Sequence, residues 1–194
     1  MPLPLNDISA PDLAALWRLG FLSGDDIAAI CMDWLEADSD GGDPDVAAFA
    51  GQDGLTLAEA GPNFERVLRS RVGRAVEQEE AMLRALRLHL ASALRDDNLM
   101  EGVGFALYRF ADLSEQSLVR NPRRDRDHPE GVYAQEELGL EYLYGSFHAF
   151  DDIQHMPIAE RAAAETALKT DLRNDVLELH DHLTSMLEAR GSGG

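Results

Sequence analysis

Near the C-terminal end, Leu168, Leu172, Val176, Leu179, Leu183, Met186 and Leu187 follow one another at steps of four, four, three, four, three and one. Only a helix brings residues at that spacing onto one stripe, and the stripe is close to a heptad seam. Pro157 precedes the segment, where a proline suits the opening of a helix. The pattern predicts a long last helix packed along a bundle, with a homodimeric coiled coil as a second use of the same seam.

The same period runs through the rest of the chain. Ser9 is placed to cap a first helix, with Pro11 in its first turn, Leu13, Leu16 and Trp17 on one face and Gly20 at its stop. Ser23, followed by Asp25 and Asp26, opens a second, in which Ile27, Ile30, Cys31, Trp34 and Leu35 form the buried face. Residues 38–45 read as a loop, and 46–51 and 55–60 as short helical pieces. Pro62 is expected to open a long helical region. Its first stripe is Phe64, Val67, Leu68, Val72 and Ala75, and its second is Leu83, Leu86, Leu90, Ala93 and Leu94, with a break at Gly73. Asp97 or Asn98 can cap the next helix, which carries Val103, Leu107 and Phe110. Residues 115–131, with Pro122, Pro129 and Gly131, are the least helical stretch. A further helix carries Leu140, Leu143, Tyr144, Phe147 and Phe150. No segment alternates apolar and polar residues between turn signals, so strands are not expected. The fold class is all-α, a compact multi-helix bundle of about six to eight helices. Residues 1–190 are expected to form a single helical domain, and 191–194 a disordered tail.

The hydrophobic fraction of 45% is enough for a core. Acids outnumber bases 36 to 17, a net charge of -19. That field repels nucleic acid and anionic lipid and favours basic partners. A lone cysteine, Cys31, excludes an intramolecular disulfide. No signal-peptide pattern and no apolar run of about 18 residues is present, so a cytoplasmic location and no membrane contact are expected. Lys169 is the one lysine among many arginines and alanines, a composition typical of a GC-rich bacterial genome.

Candidate chemistry is sparse. Asp38, Ser39, Asp40, Gly42 and Asp43 begin like a calcium loop. However, Asp43 stands where the loop needs glycine and Phe49 where it needs a bidentate acid, so a solvated turn is expected. His148, Asp151, Asp152 and His155 form the best metal-like group, and they define the alternative reading of a helical metal protein or enzyme. Zinc requires more converging ligands than this spacing offers, and His180 and His182, two apart, diverge on a helix. Cys31 on an apolar face reads as a small buried hydrophobe. Ser146 lies within a helical pattern and lacks a nucleophile elbow. The expectation is no catalytic residues, no bound metal and no cofactor.

Charge is distributed unevenly. Between Arg18 and Arg66 no base occurs, and eleven acids do: Asp25, Asp26, Asp33, Glu36, Asp38, Asp40, Asp43, Asp45, Asp53, Glu59 and Glu65. Trp17, Trp34 and Phe49 fall in or beside that stretch. An acidic surface with an exposed aromatic suits a basic protein partner, because charge steers encounter and aromatics anchor it. The first eight acids, Asp25 to Asp45, are the expected partner-binding residues. Arg120, Arg123, Arg124 and Arg126 make a basic loop, partly neutralised by Asp125 and Asp127.

Two segments carry a family likeness. The first runs from Leu16 and Trp17 through Gly20, Phe21, Leu22 and Ser23 to Asp26 and Ile27, followed by Leu35, Glu36, Phe49 and Gly51. The second holds Leu143, Tyr144, Phe147, Phe150, Asp152, Met156 and Pro157. Together they resemble a family of bacterial helical proteins assigned among polymorphic-toxin immunity proteins. The segment after Pro157 and the arginine-rich loop depart from the family pattern. The resemblance implies a small helical protein that binds and neutralises a toxin made by the same cell, with no cofactor and no catalytic residues; with the acidic stretch, the expected partner is a basic toxin domain.

Overall fold

The computed structural model describes residues 5, 8–37, 42–95, 99–114 and 140–191. Among them the chain is all helical, with eight helices and no strand. These are α1 (Ala10–Arg18), α2 (Gly24–Glu36), α3 (Pro44–Phe49), α4 (Leu57–Val72), α5 (Gln78–Arg95), α6 (Leu99–Ser114), α7 (Leu140–Ile153) and α8 (Ile158–Gly191). No described helix is long and apolar enough to cross a membrane. The helices gather into two compact units, one up to Ala85 and one from Leu86, with the boundary inside α5.

At the starts of α1 to α4 a side-chain oxygen takes an orphan backbone N–H. Ser23 and Asp26 form a reciprocal capping box on α2, and Thr56 and Glu59 form another on α4. Ser9 caps α1, and Asp43 caps α3. Gly20, at φ +71°, ends α1 as expected: its N–H reaches Trp17 O at 3.0 Å, while Phe21 N–H reaches Leu16 O at 2.9 Å. These two bonds satisfy the last carbonyls in the Schellman manner. Gly73 (φ +77°) is the break after α4.

Pro62 does not open α4. The helix begins five residues earlier, at Leu57, and Pro62 sits inside it. The capping box nucleates the helix at Thr56, and Pro62 follows soon enough that the lost hydrogen bond falls in an early turn. Ala75 lies beyond Gly73, outside the helix and exposed.

Around Phe64, fully buried, the first core collects Leu13, Leu16, Ile27, Val67 and Leu68. α1 packs on α4, and α3 packs on both α2 and α4. Gly24 is required at its position. A Cβ there would stand 1.5 Å from the Leu55 carbonyl oxygen, so only glycine lets this backbone approach.

The second unit is built on α8, which spans about 51 Å at the standard rise. It packs on α7 and α6. Leu172, Val176, Leu183 and Leu187 are buried, while Leu168, Leu179 and Met186 are half-buried, so the whole seam turns inward within the chain. Residues 158–171 of the helix bury no side chain. Arg173 donates to the Leu94 carbonyl at 3.2 Å, and Ser146 Oγ donates to Asp175 across α7 and α8. Gly102 lets α6 lie against Ala93, whose Cβ would be 2.5 Å from an added methyl. The expected capping residues Asp97 and Asn98, the whole 115–131 loop and the tail at 192–194 lie outside the described residues. Gly191 closes α8 and is not part of a tail.

Candidate functional site

Of the eleven acids between Arg18 and Arg66, Asp38 and Asp40 lie outside the described residues. Five of the remaining nine serve the fold itself. Asp26 accepts the Ser23 N–H at 2.8 Å and its hydroxyl at 2.7 Å. Glu59 does the same for Thr56, at 3.1 and 2.6 Å. The Thr56 hydroxyl and amide hold the Glu59 carboxyl below its ordinary pKa. Glu65 pairs with Arg69 one turn on, at 2.9 Å. Asp43 and Asp45 both bind Arg66, which reaches from α4 back to the start of α3. Burial pushes the Asp43 pKa up, but the Asp45 amide and the Arg66 guanidinium outweigh it and leave the carboxyl below its usual range. Spacings of 21 and 23 residues hide this clamp from a local reading of the sequence.

What remains is concentrated on α2. At 100° per residue, Asp25, Ala29, Met32, Asp33 and Glu36 share one side of the helix, opposite Ile27, Ile30 and Cys31. Asp25, Ala29, Met32 and Glu36 are exposed, and Asp33 is half-buried. Met32, 37% exposed, is the apolar member of this face. Its methyl group comes close to Gly51, where a Cβ would stand 2.6 Å away. α2 carries no basic residue, and among the described residues Asp25, Asp33 and Glu36 form no ion pair. Asp53, also exposed, lies in the turn after α3.

The aromatic residues within the acidic stretch are not its anchors. Trp17 meets Phe64 edge-on at 5.5 Å, and Trp34 stacks on the same ring at 6.3 Å. Arg71 covers Trp34 with its guanidinium 3.8 Å from the ring centroid. Phe49 is buried. All three therefore belong to the core and its rim. Phe64 draws them in because its ring offers both a face and an edge.

A polar cluster absent from the sequence reading joins α1 to α5. Arg84, with only 18% of its side chain exposed, donates to Asp12 at 3.0 Å and to Glu80 at 2.8 Å. Glu80 also receives both Nη groups of Arg74, at 2.6 and 2.7 Å. Arg74 is the main cause that holds the Glu80 carboxyl below its ordinary pKa. The members are 72 residues apart at the widest, which is why no local pattern announces them.

The histidine group is split by the end of α7. His148 Nδ1 approaches Asp151 at 3.4 Å, and the His148 ring lies 4.0 Å from that of Tyr144. His155 falls past Ile153, in the turn, so it does not share a helical face with Asp151. Among the described residues no three His, Cys, Asp or Glu side chains gather as a metal site would need. Cys31 is buried on α2, and burial pushes its thiol up to about 11, so the nucleophilic thiolate is scarce. Arg120, Arg123, Arg124 and Arg126 lie outside the described residues. Compared with known proteins, the chain matches no family model, no curated protein and no solved structure.

Proposed function

We propose that the chain is a binding protein of immunity type that captures a basic protein domain on the outward face of α2. The observation that carries this reading is the difference between the acids the fold consumes and those it leaves. Asp26, Asp43, Asp45, Glu59 and Glu65 are spent on caps and ion pairs, whereas Asp25, Asp33 and Glu36 flank the exposed Met32. With no cationic partner among the described residues, three carboxylates around an adaptable thioether form a charged rim with an apolar centre. Such a face steers a cationic partner and then excludes water from the contact. The likeness of residues 16–27 and 143–157 to the immunity family makes a toxin domain the proposed partner class.

The test is calorimetric titration with the purified C-terminal domain of the toxin encoded beside this gene. Binding should weaken as salt is raised. A combined Asp25→Asn, Asp33→Asn and Glu36→Gln variant should lose at least about tenfold in affinity, and Asp53→Asn should lose little. Absence of binding removes the immunity reading, and binding that ignores the triple substitution removes α2 as the site.

A further inference from the structure

Within the first unit, α1, α4 and the segment linking α4 to α5 surround a pocket of about 340 Å³. That volume lies at the lower end of small-molecule sites. Its apolar lining includes Trp17, Leu68 and Val76, of which Leu68 and Val76 are buried. Its rim carries three arginines, Arg18, Arg69 and Arg74, against one acid, Glu65. In a chain of net charge -19, a cavity edged by three guanidinium groups runs against the field of the whole molecule.

The three arginines are not equivalent. Arg69 is matched by Glu65, and Arg74 by Glu80. Arg18 donates from Nε to the neutral Gln78 side chain at 3.2 Å and, among the described residues, pairs with no carboxylate. Its Nη groups therefore hold donor capacity beside an indole and two aliphatic side chains. A planar guanidinium matches a carboxylate through paired N–H donors, and an indole offers a flat apolar surface. One unmatched cation suits a monoanion. A phosphate dianion would call for a second, and the other two arginines already face carboxylates.

We infer that this pocket binds a small aromatic carboxylate, its carboxyl group on Arg18 and its ring against Trp17, Leu68 and Val76. The site shares no residue with the α2 face and stands independently of the proposed partner.

The probe is 1-naphthoate, titrated into the whole chain with nitrogen-labelled tryptophan. The two indole N–H signals are assigned by Trp17→Phe. Expected is a saturable shift of the Trp17 signal with the Trp34 signal unmoved, and a loss of about tenfold in affinity in Arg18→Gln. Arg18 is exposed, and circular dichroism verifies that this variant keeps its helices. Arg18→Lys should retain part of the affinity, since it keeps the charge but not the fork. The neutral 1-naphthalenemethanol and inorganic phosphate should each leave Trp17 unshifted. No saturable shift, an equal response to the neutral alcohol or to phosphate, or an Arg18→Gln variant that binds as well as the parent overturns the proposal.

Discussion

The residues up to Ala85 and those from Leu86 are both helical, yet they are held by different means. The first unit holds α1 to α4, each fixed at its start by a side-chain cap, around a single aromatic pivot at Phe64. Ion pairs join elements distant in sequence: Arg66 with Asp43 and Asp45, and Arg84 with Asp12. The second unit relies on one long helix that packs on α6 and α7 and whose apolar seam mixes buried with half-buried residues. Its buried polar side chains include His89, which packs between Phe105 at 5.2 Å and Phe110 at 5.7 Å. Short helices make too few turns to hold their places by propensity, so specific polar contacts set their ends. The long helix spreads its burial from Leu172 to Leu187 and depends less on any one contact.

The sharpest way to break this contrast is Phe64→Ala. The ring is completely buried and supports Trp17 and Trp34 from two sides. Its removal should cost about 3–5 kcal/mol, since a large cavity opens where several helices meet. Urea unfolding followed by tryptophan fluorescence measures it, because both tryptophans lie in the first unit. Leu179→Ala, at a half-buried position of the long seam, should cost about 1–2 kcal/mol. Comparable costs at the two positions would mean that the pivot is no more critical than the seam.

Acid should separate the two units in a second way. Burial, with a smaller contribution from the Arg109 charge, lowers the His89 pKa from 6.5 to about 4. The folded state therefore holds the imidazole neutral, and the unfolded chain takes up its proton first as pH falls. Stability from this group is complete above about 6.5 and declines down to about 4, a loss of about 3 kcal/mol. Glu80, in the first unit, has its pKa lowered from 4.5, chiefly by Arg74. Its contribution is present above 4.5 and is lost only as pH falls further. Amide signals from α7 and α8 should therefore soften at a higher pH than the tryptophan signal of the first unit. His89→Leu should flatten that dependence between pH 4 and 6.5. Simultaneous loss of both signals, or no change in His89→Leu, would contradict the distinction.

Much of the fold was legible because helices announce themselves locally. Ser9, Ser23 and Gly20 marked real ends, and the steps from Leu168 to Leu187 traced the face that α8 buries. The misreading at Pro62 came from giving proline more weight than a capping box whose acid stands three residues past Thr56. The candidate site was legible only in outline. A row of eleven acids without a base is visible in the sequence, but that the fold uses Asp43 and Asp45 is settled by Arg66 on another helix. Trp17 and Trp34 offered themselves as anchors because aromatics are common at interfaces, while the partner that claims them, Phe64, is 47 and 30 residues away. Charge content is a local property, whereas the pairing of charges is a tertiary one.

The smallest expected effect tests whether the acids of the first unit truly divide into structural and outward groups. Thr56→Ala removes the hydroxyl that accepts the Glu59 N–H at 3.3 Å and donates to its carboxylate at 2.6 Å. A lost cap of this kind costs about 1 kcal/mol. Asp33→Asn, on the α2 face, should change stability by less than about 0.5 kcal/mol, as surface substitutions away from such contacts do. Both are read from urea midpoints at equal slope. Should Asp33→Asn cost as much as the lost cap, that carboxylate is part of the framework, and the face left for a partner shrinks to Asp25, Met32 and Glu36. Should it stabilise the protein, mutual repulsion among the three acids is being relieved, which is the energetic signature of a surface kept charged for something other than folding.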